Sequence, residues 1–151
     1  MLCTFRPFHP KDEAKLQAMV KQFYEEEAAE GPMDQEKVKL TIKTLGEQPT
    51  AGAILIAEGE EGMLGYAIVI HYWSNEYGGW LAFLDELFIT PPHRGLGLGT
   101  KFVQYITLEY GEEIIGTGLE VMPNNTRALQ LYQRLGFKLD GLRHLLHLKE
   151  K

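Results

Sequence analysis

Apolar residues recur along this chain at two different spacings, and the changes of spacing mark out its elements. From about Pro10, the positions Leu16, Met19, Val20, Phe23 and Tyr24 repeat at intervals of three and four, which predicts one buried helix face. A proline suits the first helical turn, where its missing amide proton has no partner to lose. Asp34 reads as the N-cap of a second helix with the stripe Val38, Thr41, Ile42 and Leu45, ended by Gly46 and Pro49. Leu2 to Arg6 is a short strand ahead of both helices. Ala53 to Glu58 and Met63 to Tyr72 read as a hairpin around Gly59-Glu60-Glu61-Gly62. Trp80 to Thr90 is apolar almost throughout, which predicts a strand buried on both faces. A helix through Phe102, Val103, Ile106 and Tyr110 follows, then a strand from Ile115 to Met122. Asn125 to Leu135 is a last helix, stopped by Gly136, and one or two strands run from Phe137 to Leu148. Helices interspersed with strands and hairpins predict an α/β fold, a mixed sheet covered on both sides.

Composition narrows the class. The 151 residues show no repeat and no linker, so they read as a single domain. A hydrophobic fraction of 44% against 24% charged excludes disorder for the body of the chain. The net charge of −6 argues against nucleic acid and is compatible with a cationic partner such as an amine. Cys3 is the only cysteine, which excludes an internal disulfide and a multi-cysteine zinc site. It lies outside every motif and reads as a packed thiol. His144 and His147, three apart on a presumed strand, face opposite ways, so no metal is expected. The first residues lack a basic stretch followed by an apolar run, and no stretch reaches the ~20 apolar residues that span a bilayer. A cytoplasmic protein with no membrane partner is the expectation.

The chemistry begins at Arg94-Gly95-Leu96-Gly97-Leu98-Gly99-Thr100, between a strand and a helix. Alternate glycines let the backbone turn sharply and approach a ligand, and the helix start adds amide protons and positive potential. Such a nest suits a phosphate, with Arg94 at its rim. A nucleotide P-loop needs lysine and then Ser/Thr after its last glycine; here Thr100 precedes Lys101. A dinucleotide fingerprint needs two residues between its second and third glycines and finds one, although Glu120 stands about where the ribose-binding acid would.

Pro91 to Gly99 resembles the acyl-CoA-binding motif of the GNAT superfamily of N-acetyltransferases, with Arg94 in its first slot and Gly97 and Gly99 as its paired small residues. Asn124 to Phe137 is similar to the later motif of that superfamily: an Asn, Ala128 three beyond Asn125, Tyr132 four further, and Gly136-Phe137 closing the helix. Taken alone, Asn125 reads equally as a helix cap and Tyr132 as a core aromatic. The resemblance implies a mostly antiparallel sheet with splayed central strands and helices on both faces. It implies acetyl-CoA as donor, with the pantetheine arm pairing near Leu87, Phe88 and Ile89. Its pyrophosphate would lie on Arg94 to Thr100, Asn125 and Ala128 would border the arm, and Tyr132 would stand by the sulfur. Many relatives dimerise, so a homodimer is expected by analogy.

Acetyl transfer needs a neutral amine, whose free pKa is near ~10, and an acid for the leaving thiolate. Asp85 and Glu86 interrupt the apolar run before the glycine loop, where burial of a carboxylate is costly. Only one of two successive strand residues enters a cleft unless the strand bulges. Amine acetyltransferases of the superfamily carry acids at this position, which implies a base acting through water: Glu86 by preference, with Asp85 the alternative. Tyr132 is the expected acid. The first two helices and their loop line the acceptor site in relatives, which adds Tyr24, Glu25, Glu26 and Glu27. Glu76-Tyr77, before the strand that starts at Trp80, is a further candidate pair. A small-molecule amine is the expected acceptor; a lysine side chain, a protein N-terminus, or a non-catalytic acyl-CoA-binding role are the alternatives.

Overall fold

A computed structural model describes residues 2–27 and 31–150. Two units follow one another, Met1–Glu120 and Val121–Lys151. In the first, β1 (Cys3–Pro7), β2 (Gly52–Gly59), β3 (Gly62–Ser74), β4 (Gly79–Ile89) and β5 (Ile114–Leu119) form one sheet in that spatial order. Neighbours are antiparallel except β5, which runs parallel to β4. Three helices accompany them: α1 (Glu13–Glu26), α2 (Gln35–Glu47) and α3 (Leu98–Leu108).

Residues paired across a ladder share a face of the sheet. One face carries Ile54, Ile56, Tyr66, Ile68 and Phe88, which pack with Leu16, Met19 and Val20 of α1 and Val38 of α2. The three-and-four spacing of both helices exists to fill this face, and each large side chain so buried contributes about 2 kcal/mol. Asp34 caps α2 as expected, accepting from the Glu36 amide at 2.9 Å. The opposite face carries Leu55, Ala57, Ala67 and Val69, all buried. There Phe5 of β1, paired with Ala57, stacks on Phe102 and Tyr105 of α3 at 4.6 and 5.2 Å. The sheet is mixed, mostly antiparallel, and has helices on both faces.

Three departures from the sequence expectation have physical causes. Pro10–Asp12 forms a separate 3-10 turn, because Asp12 accepts the His9 amide at 2.8 Å and pairs with Arg6 at 2.8 and 2.9 Å. That ion pair holds the Asp12 carboxyl below its ordinary range. β4 is not buried on both faces along its whole length: Ala82 and Leu84 are buried on the side of α3 and, past Asp85, Glu86 and Phe88 on the side of α1 and α2, with the residues between them half-buried or exposed. Finally, the expected strand from Phe137 to Leu148 is absent, and residues 137–150 carry no regular structure. A strand needs a neighbour to take its backbone groups, and this stretch pairs with none among the described residues. His144 and His147 therefore do not lie on a strand.

In the second unit α4 (Thr126–Arg134) begins at Asn125, whose side-chain oxygen accepts the Ala128 amide at 3.1 Å. It ends at Gly136, with φ of 98°, and the Phe137 amide returns to the Tyr132 carbonyl at 3.0 Å. The Tyr132 ring meets Phe137 edge-on at 5.8 Å. No described helix is long and apolar enough to cross a membrane.

Candidate active site

β4 carries one residue more than β3 opposes. Ile68 pairs with Glu86 and Val69 with Leu84, which leaves Asp85 unpaired in a bulge. Glu86 thereby shares the face of Ile68, the side of α1 and α2. Asp85, one residue on from Leu84, takes that same side, so the bulge brings both carboxylates to one face. The strand's alternation would otherwise have separated them.

The two acids differ in environment. Glu86 is buried, and both of its oxygens accept phenol protons: Oε2 from Tyr24 of α1 at 2.5 Å and Oε1 from Tyr66 of β3 at 2.8 Å. Burial pushes its carboxyl above the ordinary range, against the two hydrogen bonds, which pull it down. Burial and the Glu86 carboxylate push both phenols up, so Tyr24 and Tyr66 stay protonated donors. Asp85 is exposed. The protein mass around its carboxyl and the negative charge of Glu120 raise it. Glu120 follows the last residue of β5 and stands across from Asp85 where pairing ends.

Past the Leu84–Leu119 pair, β5 no longer accompanies β4, which runs on to Ile89 paired with β3 alone. Thr90 donates its amide to the Leu64 carbonyl, and a Cβ on Gly65 would fall 2.1 Å from the Phe88 carbonyl oxygen. Phe88 and Thr90 thus turn their backbone groups to β3. By alternation Leu87 and Ile89 turn theirs to the open edge. Of the three residues expected to pair with a ligand there, Phe88 is engaged elsewhere, with its ring in the core.

The glycine loop closes this edge. Gly95 and Gly97 both sit at φ of 79°, a left-handed backbone that strains any side chain. Gly97 is the N-cap of α3 and offers no side chain to the first amides of the helix, those of Leu98, Gly99 and Thr100. A Cβ on Gly95, Gly97 or Gly99 would meet nothing within 4 Å, so the space beside the loop is open. Leu98 anchors it in the core, whereas Leu96 is exposed. Open space, bare amides and helix dipole together fit a phosphate. Arg94 is exposed, but its guanidinium is engaged by protein groups. Its Nε donates to the Ile89 carbonyl at 2.7 Å, its Nη2 pairs with Glu26 at 2.7 Å, and its guanidinium lies over the Phe88 ring at 5.2 Å.

Tyr24, Asp85 and Glu86 are thus gathered, and Arg94 to Thr100 and the Leu87–Ile89 edge adjoin them along the chain. Glu27 is exposed at the end of α1, where its neighbour Glu26 is the acid that engages Arg94. The loop after α1 includes residues 28–30, outside those described. Tyr77 is exposed at the tip of the β3–β4 turn, the opposite end of β4 from the glycine loop. Asn125, Ala128 and Tyr132 belong to the second unit. Sequence reasoning missed Tyr66 and the part played by Glu120. Nothing in the sequence sets Tyr66 apart from the rest of its strand, and Glu120 meets Asp85 only through the parallel register of β4 and β5.

The family model described as the acetyltransferase (GNAT) family matches residues 15–137. The chain belongs to the GNAT family. No curated protein sequence matches this GNAT chain significantly. Among solved structures it is similar to a possible acetyltransferase from Clostridium difficile 630, at 16% identity and a TM-score of 0.84 over 99% of this chain and 100% of the other. It is also similar to an integron cassette protein from the mobile metagenome of Cole Harbour Salt Marsh, at 26% identity and a TM-score of 0.75, covering 96% and 89%. A ribosomal-protein-alanine N-acetyltransferase from Brucella melitensis biovar Abortus 2308 shares 14% identity, with a TM-score of 0.75 over 97% and 100%. These likenesses support the GNAT fold.

Proposed function

We propose that this GNAT protein transfers the acetyl group of acetyl-CoA to a primary amine of a small molecule by direct attack, with Asp85 as base through water and Tyr132 as acid. The observation that carries the reading is the open edge of β4, which runs from two carboxylates on one face to an uncapped glycine loop. When bound, acetyl-CoA supplies the activated acyl carbon. The amides from Gly95 to Thr100 fit its pyrophosphate, with Arg94 at the rim. The edge-facing groups of Leu87 and the Ile89 amide fit a polar arm, while the Ile89 carbonyl is held by Arg94, and the Leu87 and Ile89 amides are donors for an acyl oxygen. The later motif assigns Asn125 and Ala128 to the same arm.

The sequence alone favoured Glu86 as base. Its two oxygens are occupied by phenols and it is shut from solvent, so a water that must reach an incoming ammonium finds little access. Asp85 is exposed, and its raised pKa makes it a stronger proton acceptor than an ordinary aspartate. Glu86 then positions Tyr24 and adds negative potential that draws the amine in.

Calorimetry with acetyl-CoA tests the donor. Wild-type protein should bind it, and Gly97→Glu should abolish binding by filling the space beside the loop with a like charge. Equal binding by that variant overturns the assignment. A panel of amines, amino acids and peptides, followed by acetyl-CoA-dependent thiol release, tests the acceptor. Release with peptides alone would favour a protein substrate.

A further inference from the structure

On the face that carries Glu86, the β3–β4 ladder continues beyond the bulge with the pairs Ile70–Phe83 and Tyr72–Leu81. One strand further across, Phe83 pairs with Gly118 and Leu81 with Gly116. This part of the face is therefore aromatic and aliphatic on two strands and bare on the third. A Cβ on Gly118 would lie 3.6 Å from a Phe83 ring carbon and 3.8 Å from the Tyr72 hydroxyl, so both aromatic side chains converge over that glycine. The core beneath α1 and α2 ends at Ile68 and Phe88. Ile70 and Tyr72 beyond it are 36% and 44% exposed.

This shelf has an uneven charge distribution. Ile70, Tyr72, Leu81, Phe83, Gly116 and Gly118 carry no formal charge, while Asp85, Glu86 and Glu120 gather at one end of it. Asp85 and Glu120 lie close enough for the second to raise the first. A ligand complementary to both features has one cation at the carboxylate end and a flat apolar body behind it.

We infer that the acceptor is a primary monoamine joined by a short linker to an aromatic ring, an arylalkylamine, with its ring on the Tyr72–Phe83 shelf over Gly118 and its ammonium at Asp85 and Glu120. The inference rests on the acetyl-transfer reading above and specifies its substrate. A diamine fits less well, because its second ammonium would sit on the apolar shelf, where none of the described shelf residues is an acid. A ring that leaves water for such a surface and stacks against Tyr72 or Phe83 gains about tenfold or more in affinity over a short alkyl chain.

The test measures binding and turnover separately, with 2-phenylethylamine, n-butylamine and putrescine as probes. Calorimetry should show 2-phenylethylamine binding about tenfold more tightly than n-butylamine. Tyr72→Ser and Gly118→Leu should bring it down to the n-butylamine level while acetyl-CoA affinity is unchanged. Tyr72 is exposed, so Tyr72→Ser should keep the fold even where Gly118→Leu does not; circular dichroism checks both. Putrescine or n-butylamine binding as tightly as the aryl amine overturns the inference, as does equal weakening of all three in Tyr72→Ser. Thiol release separates the two readings. Ring-dependent binding without release from any amine sinks acetyl transfer and leaves the shelf. Release that ignores the ring sinks the shelf and leaves acetyl transfer.

Discussion

Both carboxylate oxygens of Glu26 accept from the same Arg94 nitrogen, at 2.9 and 2.7 Å. The end of α1 is thereby tied to the start of the glycine loop, and the cation proposed for the cofactor's phosphates already has an anionic partner. Glu26 and a pyrophosphate compete for it. Glu26→Gln removes the competitor and one negative charge, so acetyl-CoA should bind more tightly. Both partners are partly exposed, which limits the pair to about 1 kcal/mol and the gain to about fivefold. Arg94→Ala should weaken binding instead. Calorimetry at low and high salt checks both, and weaker binding by Glu26→Gln would mean that the pair positions Arg94 rather than occupying it.

Asp85 and Glu86 separate on a pH profile. A carboxyl accepts a proton only when ionised, and Asp85 is raised above its ordinary range. Turnover should therefore rise with pH through that raised pKa and level off above it. Asp85→Asn should lower kcat by about 10²- to 10⁴-fold and erase this limb. Glu86→Gln should keep the limb and lose about tenfold or less. The reverse pattern returns the base to Glu86.

The elements that read clearly in the sequence are those whose pattern answers to one neighbour. Leu16, Met19 and Val20 repeat as a helix face because one sheet face receives them. Gly95 and Gly97 stand out because only glycine takes their backbone without strain. What was not legible depends on register. Nothing local says that β4 has an extra residue at Asp85, since the bulge is defined by β3 opposite it. The Tyr24–Glu86–Tyr66 cluster joins three elements for the same reason. The segment from Phe137 to Leu148 shows the converse error: its apolar residues suggested a strand, but alternation cannot supply a ladder partner.

Tyr132 is the acid assigned by the later motif, and its removal has a specific signature. An acid that protonates the leaving thiolate acts in the transition state and not on the bound donor. Tyr132→Phe keeps the ring that meets Phe137 and removes only the hydroxyl. It should lower kcat by about 10²-fold and leave the Kd for acetyl-CoA within about twofold. Unchanged kcat would remove Tyr132 from the mechanism and leave it a packing residue of α4.

Glu86 also sets a pH dependence of stability. Its folded pKa lies above its unfolded value near ~4.3, because burial outweighs the hydrogen bonds from Tyr24 and Tyr66. The folded protein then holds the proton more tightly than the unfolded chain does. The stability this contributes is fully present below the unfolded pKa and is lost as pH rises through the folded one. Glu86→Gln stays neutral throughout and still hydrogen-bonds, so its Tm should gain on that of the wild type as pH rises from about 4 to 8. A gap that narrows over this range would mean that the two phenols stabilise the carboxylate by more than burial costs it. Tyr66→Phe supplies the complementary case. Tyr66 is fully buried, and losing its hydroxyl leaves Oε1 of Glu86 without that donor. The loss should cost about 1–3 kcal/mol, and more as rising pH ionises the carboxylate.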